Sequence, residues 1–295
     1  MWGITLKRSG KRTEGVSIST RTLDFQDHSR KLGENRYVYA VVSRRAAGLS
    51  IGINLNPDKV CNFDCPYCQV DRSIPGGPGE IDLPRLEAEL DHLLHLANAD
   101  LWSIPPFNTA APALRRIADI AFAGDGEPTS PALFPEAAHL VKAVRDRHRL
   151  SVPLRLLTNA TLFGRERVRA GLGAFDELWC KLDAGTEPYF QKVDGTRIRF
   201  SLVLRNLRDV ARQRPITLQC MFLRLAGEGP STEEQQAWAA RIHEILEAGG
   251  RIAEVQVYTV ARTPSDPRVA PLAPEELQAI AAQARRPGLT VNVFG

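Results

Sequence analysis

Strand-length apolar runs alternate with amphipathic stretches along most of this chain, and that alternation restricts it to α/β architectures. Residues 49–55, 117–123, 154–157, 177–183, 216–223 and 254–260 read as strands. Between them, Asp82 can cap a helix whose apolar face is Leu83, Leu86, Leu90, Leu93, Leu94 and Ala97. Residues 134–148, a glycine-interrupted 161–173 and 201–212 read as further helices. Ser231-Thr-Glu-Glu234 is a capping box that opens a helix ending at Gly249-Gly250. A closing helix with proline at its start spans 274–285, and 289–294 has the composition of one more short strand. Six strand–helix repeats imply parallel strands joined by right-handed crossovers. An open doubly wound sheet and a barrel-like sheet both satisfy this.

Composition narrows the class further. At 43% apolar and 24% charged over 295 residues, the chain can bury a core without disulfide staples. Its apolar runs are strand-length, short of the roughly 18 residues that span a bilayer. Residues 1–12 are polar and basic with no apolar stretch behind them, which is unlike a secretory signal and leads us to expect a cytoplasmic protein. Residues 1–50 hold ten Lys or Arg against four Asp or Glu, a local +6 within a net charge of +4. The simplest division is a basic N-terminal extension over 1–48, a core over 49–262, and a C-terminal helix and short strand over 263–295. The extension can meet an anionic partner, RNA included, or stand as a solvated arm; neither a membrane nor DNA is expected.

The cysteines are clustered rather than spread as a disulfide framework. Cys61, Cys65 and Cys68 lie within eight residues, after the strand at 49–55, whereas Cys180 and Cys220 stand alone. By strand parity Cys180 goes with Leu178 and Leu182, and Cys220 with Leu218 and Phe222, so both read as small buried apolar residues. Three thiols on a loop suit a soft metal or an iron–sulfur centre. One reading is a zinc-stabilised RNA-binding module in which His92 or His95 supplies a fourth ligand. The other is an iron–sulfur cube with one iron left free of protein.

Polar residues collect on one strand parity: Arg155 and Asn159, Lys181 and Asp183, Gln219, Gln256 and Tyr258. With helices on one side of the sheet only, that parity faces inward, where a polar ligand can satisfy it. Gly124-x-Gly126-x-x-Thr129 is a truncated dinucleotide fingerprint, and no phosphate-loop Gly-Lys-Ser/Thr occurs, so neither NAD nor ATP is expected. Lysine is scarce, seven against 31 arginines, yet Lys59, Lys181 and Lys192 fall in motif segments. A retained primary amine suits a titratable or Schiff-base role that guanidinium cannot fill. Ser43-Arg44-Arg45 can grip a phosphate or a carboxylate.

The motif Cys61-x3-Cys65-x2-Cys68 with Tyr67 before the third cysteine resembles the radical S-adenosylmethionine (SAM) superfamily. Gly124-Asp-Gly-Glu-Pro128, after the next strand, resembles that superfamily's Gly-Gly-Glu-Pro motif, with Asp125 in a position commonly held by glycine. Val42-Ser-Arg-Arg45, Ile51-Gly-Ile-Asn-Leu55, Thr158-Asn159, Lys181-Leu-Asp-Ala-Gly185 and Val257-Tyr-Thr-Val-Ala-Arg262 are similar to the branch named for wyosine tRNA-base synthesis, which includes uncharacterised bacterial relatives. The resemblance covers about residues 40–295.

It implies a partial (β/α)6 barrel, TIM-like, with N- and C-terminal extensions. It implies a [4Fe–4S] cluster on Cys61, Cys65 and Cys68, whose open iron chelates SAM. Reductive cleavage of SAM then yields a 5′-deoxyadenosyl radical that abstracts hydrogen from a substrate, with electrons from an outside donor such as a flavodoxin or ferredoxin. Glu127 and the Gly126 carbonyl are expected to meet the SAM ammonium. Tyr67 is expected beside the adenine, and Asn159 and Asp183 at the ribose hydroxyls. Gly124 and Gly126 would permit close backbone approach, with the Asp125 side chain turned away from SAM. Lys181 is the candidate catalytic residue, as the imine-forming lysine of the wyosine branch. Wyosine synthetases carry further cysteines upstream; none precedes Cys61 here, so the substrate stays open among a tRNA base, a small molecule and a peptide.

Overall fold

The computed structural model describes Leu23, residues 32–43 and residues 45–295. Most of the basic segment over 1–48, Arg44 included, lies outside the described residues. An antiparallel hairpin comes first, β1 (Val38–Ser43) and β2 (Gly48–Ile53). Then follow α1 (Leu83–Ala99), β3 (Ile117–Phe122), α2 (Phe134–Arg147), β4 (Leu154–Thr158), α3 (Glu166–Leu172) and β5 (Glu177–Lys181). Two helices, α4 (Glu187–Asp194) and α5 (Phe200–Gln213), lead to β6 (Ile216–Met221) and β7 (Leu223–Leu225). The chain closes with α6 (Thr232–Glu247), β8 (Ile252–Tyr258), β9 (Val269–Pro271), α7 (Pro274–Ala284) and β10 (Val291–Phe294).

Eight strands form one sheet in the order β1-β2-β3-β4-β5-β6-β8-β10, parallel from β2 onward, while β7 and β9 pair apart from it. The sheet curls into a half-barrel. Five strand spacings separate β2 from β8, about 24 Å in a flat sheet. Yet Arg45, in the turn before β2, lies 4.5 Å from the Tyr258 ring on β8. Only curvature brings them together. Helices cover the convex side: Leu178, Cys180 and Leu182 are buried against them, as are Leu218, Cys220 and Phe222. The opposite parity of each strand faces the lumen, where Arg155, Lys181, Gln219 and Tyr258 line cavities. Among the described residues no helix is long and apolar enough to cross a membrane.

Local chemistry explains the boundaries. The Asp82 carboxylate accepts from Arg85 N at 3.0 Å and starts α1, whose buried face holds Leu86, Leu90, Leu93 and Leu94. Ser231 Oγ accepts from Glu234 N at 3.2 Å, which is half of the expected capping box. The other half is diverted: Glu234 accepts from Gly185 N, from Thr186 N at 3.3 Å and from Thr186 Oγ1 at 2.5 Å, tying α6 to the end of β5. The helix expected over 161–173 is shortened to α3. Ala160 has φ +59°, and Asn206 on α5 donates to the carbonyls of Ala160 (2.8 Å) and Thr161 (3.0 Å), which removes them from a helical ladder. The sequence reading missed β1, α4 and β9, and joined β7 to β6 as one strand over 216–223.

Candidate active site

The loop after β2 brings Cys61, Cys65 and Cys68 to the wall of one cavity of about 360 Å³ at the C-terminal ends of the strands. Two sets of contacts hold this loop. Asp64 N donates to Asp194 O (3.2 Å) and Gly195 O (3.3 Å), and the Thr196 hydroxyl donates to Asn62 O (3.2 Å). Gly195 ends α4 at φ +57° and sits against Asp64 so closely that a Cβ would overlap its backbone. On the other flank Asn62 Oδ1 accepts from Asn159 Nδ2 (2.7 Å), and Asn62 Nδ2 donates to Thr161 Oγ1 (2.7 Å).

Cations face the sulfurs. Lys181 Nζ lies 3.8 Å from Cys65 Sγ, and Arg72 Nη1 donates to Cys68 Sγ at 3.3 Å. Burial raises the Cys61 thiol above its ordinary range against a backbone donor at Phe63, and raises Cys65 well above it against the charge of Lys181. Cys180 and Cys220 are buried away from the cavity, as expected. His92 and His95 are exposed on α1. Among the described residues no three His, Cys, Asp or Glu side chains converge as ligands of a single ion. The zinc reading is not supported, since both candidate histidines lie exposed on α1. A [4Fe–4S] cube takes thiolates at separate iron corners, and three thiols around one cavity wall suit it.

Glu127 is buried between β3 and β4 and accepts four internal hydrogen bonds. Oε1 takes Thr129 N (3.2 Å), Thr129 Oγ1 (2.6 Å) and Thr158 Oγ1 (2.6 Å), while Oε2 takes only Asn159 N (2.9 Å). Burial pushes this carboxyl up, and those donors pull it back. Asn159 Oδ1 accepts from Thr161 N (3.1 Å) and Oγ1 (2.7 Å), so its side chain anchors the turn and the cysteine loop. Asp125 turns its carboxylate onto Asn54 Nδ2 at 2.7 Å. A Cβ at Gly124 would meet the Asn54 side chain, and one at Gly126 would meet the Val60 carbonyl. The close approach these glycines permit is therefore to the chain's own cysteine loop.

Across the cavity, Lys181 Nζ donates to Tyr67 Oη and to Asp183 Oδ2 (3.0 Å), and lies 3.5 Å from Asp194 Oδ1. Tyr67 Oη also donates to Asp183, whose second oxygen accepts from Met221 N at 2.8 Å. Burial alone would lower the Lys181 amine. Asp183, Cys65 and Asp194 outweigh it and hold the pKa well above the ordinary lysine value. Burial likewise pushes the Tyr67 phenol well up, with Asp183 adding to it. Asp183 does not line the cavity, although Lys181 and Tyr67 do.

No family model matches the chain. It is similar to a UPF0026 protein of Methanocaldococcus jannaschii, 28% identical over 156 residues that make up 53% of this chain and 43% of that protein. A UPF0026 protein of Helicobacter pylori is 26% identical over 242 residues, 81% of this chain and 71% of that protein. The match thus spans less than half of the archaeal relative's length. The fold is similar to a solved structure of TYW1 with a lysine-pyruvate adduct bound, at a TM-score of 0.52 and 16% identity, over 80% of this chain and 72% of that one. TYW1 is a wyosine synthetase of the radical SAM superfamily. This chain has the radical SAM fold.

Within the radical SAM half-barrel, the cysteine loop leaves the first parallel strand and the Gly124–Pro128 loop leaves the second. Sequence reading missed Asp194, whose Oδ1 and main-chain oxygen each lie 3.6 Å from Cys65 Sγ. Its one local signal is the Asp194-Gly195 pair that ends α4. Arg72 was missed as well, although it stands four residues beyond Cys68.

Proposed function

We propose that this chain is a radical SAM enzyme in which Cys61, Cys65 and Cys68 hold a [4Fe–4S] cluster beside a bound SAM. When bound, that group supplies one-electron reductive cleavage of SAM and a 5′-deoxyadenosyl radical for hydrogen abstraction. The observation that carries the reading is the convergence of the three cysteines, the Gly124–Pro128 loop and Lys181 on one cavity at the C-terminal strand ends.

The chain's own residues then divide the work. Lys181 and Arg72 place positive charge beside Cys65 and Cys68, and at Cys65 that charge opposes the burial that raises the thiol. Glu127 braces β3 against β4 and leaves capacity on Oε2 for the SAM ammonium, with the Gly126 carbonyl as a further acceptor. Backbone groups at Tyr67 would face the adenine. Asn159 holds the cysteine loop and Asp183 holds the Lys181–Tyr67 pair, so a ribose contact from either must exchange one of these internal bonds. An external electron donor of the flavodoxin or ferredoxin class and a second substrate (a tRNA base, a small molecule or a peptide) complete the system, in a core over 49–262 extended by 1–48 and 263–295.

Anaerobic reconstitution tests this. The wild-type chain should bind about four irons and release 5′-deoxyadenosine from SAM on reduction. Replacing Cys61, Cys65 and Cys68 by Ala should abolish both, and replacing Cys180 and Cys220 should abolish neither. A colourless protein that takes up zinc instead would overturn the reading.

A further inference from the structure

Among the described residues several cations reach the barrel lumen; Arg72 faces Cys68 Sγ there, and Arg155 and Lys181 are paired with carboxylates. Arg155 pairs with Asp119 and, at 2.7 Å, with Glu177. Lys181 pairs with Asp183 and Asp194. Arg45, from the β1–β2 turn, has no carboxylate at ion-pair distance among the described residues, and its Nη1 is buried without a hydrogen-bond partner. Its guanidinium lies 4.5 Å over the Tyr258 ring and 5.6 Å from the Trp179 ring, which fixes the planar fork. Arginine cannot shed its charge, so a guanidinium nitrogen without a protein acceptor favours an incoming one.

The same residue lines the cavity that holds the three cysteines. It enters from the N-terminal side of β2, whereas the cysteine loop leaves the C-terminal side. The six residues of β2 set the roots of the two loops about 20 Å apart.

Resting on the radical SAM reading of this cavity, we infer that Arg45 anchors an oxyanion of the second substrate, a carboxylate or a phosphate ester. Trp179 and Tyr258 form flat walls beside it, and the rest of the substrate extends toward the cysteine loop. This gives the Ser43-Arg44-Arg45 motif a function in its third residue; Arg44 lies outside the described residues.

The test titrates the full-length chain with inorganic phosphate and, separately, with acetate, followed by calorimetry. Wild type is compared with Arg45→Gln and Arg45→Lys, and SAM affinity is measured on the reconstituted proteins in parallel. We expect saturable binding at one site for which the two anions compete, weakened about tenfold or more in Arg45→Gln. Arg45→Lys keeps the charge but loses the fork, should fall between the two, and reports if the Gln variant does not fold. Anion binding that is absent, or indifferent to both substitutions, would overturn the inference while iron uptake and SAM cleavage by wild type leave the underlying reading intact. A loss of SAM affinity matching the loss of anion affinity would assign Arg45 to the cofactor's own carboxylate and also overturn it. Arg45-dependent anion binding in a wild-type chain that takes up no iron would overturn both.

Discussion

A methyl group at position 126 has nowhere to go, because the Val60 carbonyl, one residue before Cys61, occupies the place its Cβ would take. Gly126→Ala must therefore displace the cysteine loop. It should lower stability by roughly 1–3 kcal/mol in urea unfolding and reduce iron retained after reconstitution, whereas a surface Gly249→Ala should spare the iron. Asp194 makes a second prediction at this scale. Burial raises its carboxyl to about 8, with Lys181 opposing. The folded chain thus keeps a proton that the unfolded chain releases, so stability of the metal-free protein falls as pH rises from the ordinary carboxylate range toward 8. Asp119 and Glu127, also raised by burial, act in the same direction. Unfolding free energies at pH 5 and pH 8 check this: Asp194→Asn should flatten the slope, and an unchanged slope would remove Asp194 from the explanation.

Elements are joined here by side chains that reach past their own helix. Glu234 begins α6 yet binds Gly185 and Thr186 beyond β5. Glu234→Ala leaves a buried N–H and a hydroxyl without acceptors and should cost about 2–4 kcal/mol, read as a lower urea midpoint, with Glu234→Gln recovering part of it. The same contact shows where sequence reading stops. Ser231-x-x-Glu234 marked the start of α6 correctly, because a cap is local, but the partner of Glu234 lies 49 residues away. Long amphipathic stretches and buried strands were legible for the same local reason. The helix α4 was not, since its eight residues carry too few turns to establish a period, and β1 directly precedes a strand with which it forms a short hairpin. The three cysteines and the Gly124–Pro128 loop were legible from spacing. The tasks of Glu127 and Asn159 as braces were not, because strand ends adjacent in space are set by the sheet order.

The whole molecule is a parallel sheet curled until Arg45 on one side meets Tyr258 on the other. Curling gathers the strand ends around one cavity, so loops far apart in sequence share it. Lumen charge is met strand by strand, by Arg155 with Asp119 and Glu177 and by Lys181 with Asp183. On the proposed function, the three thiols would leave one corner of a cube for a ligand that the protein does not supply. Electron paramagnetic resonance of the anaerobically reconstituted, reduced chain, recorded before and after SAM is added, tests that arrangement directly. The account predicts a reduced-cluster signal whose g-values shift on addition of SAM and which is absent when Cys61, Cys65 and Cys68 are replaced by Ala. A cluster signal indifferent to SAM, or one that survives loss of the three cysteines, would contradict it.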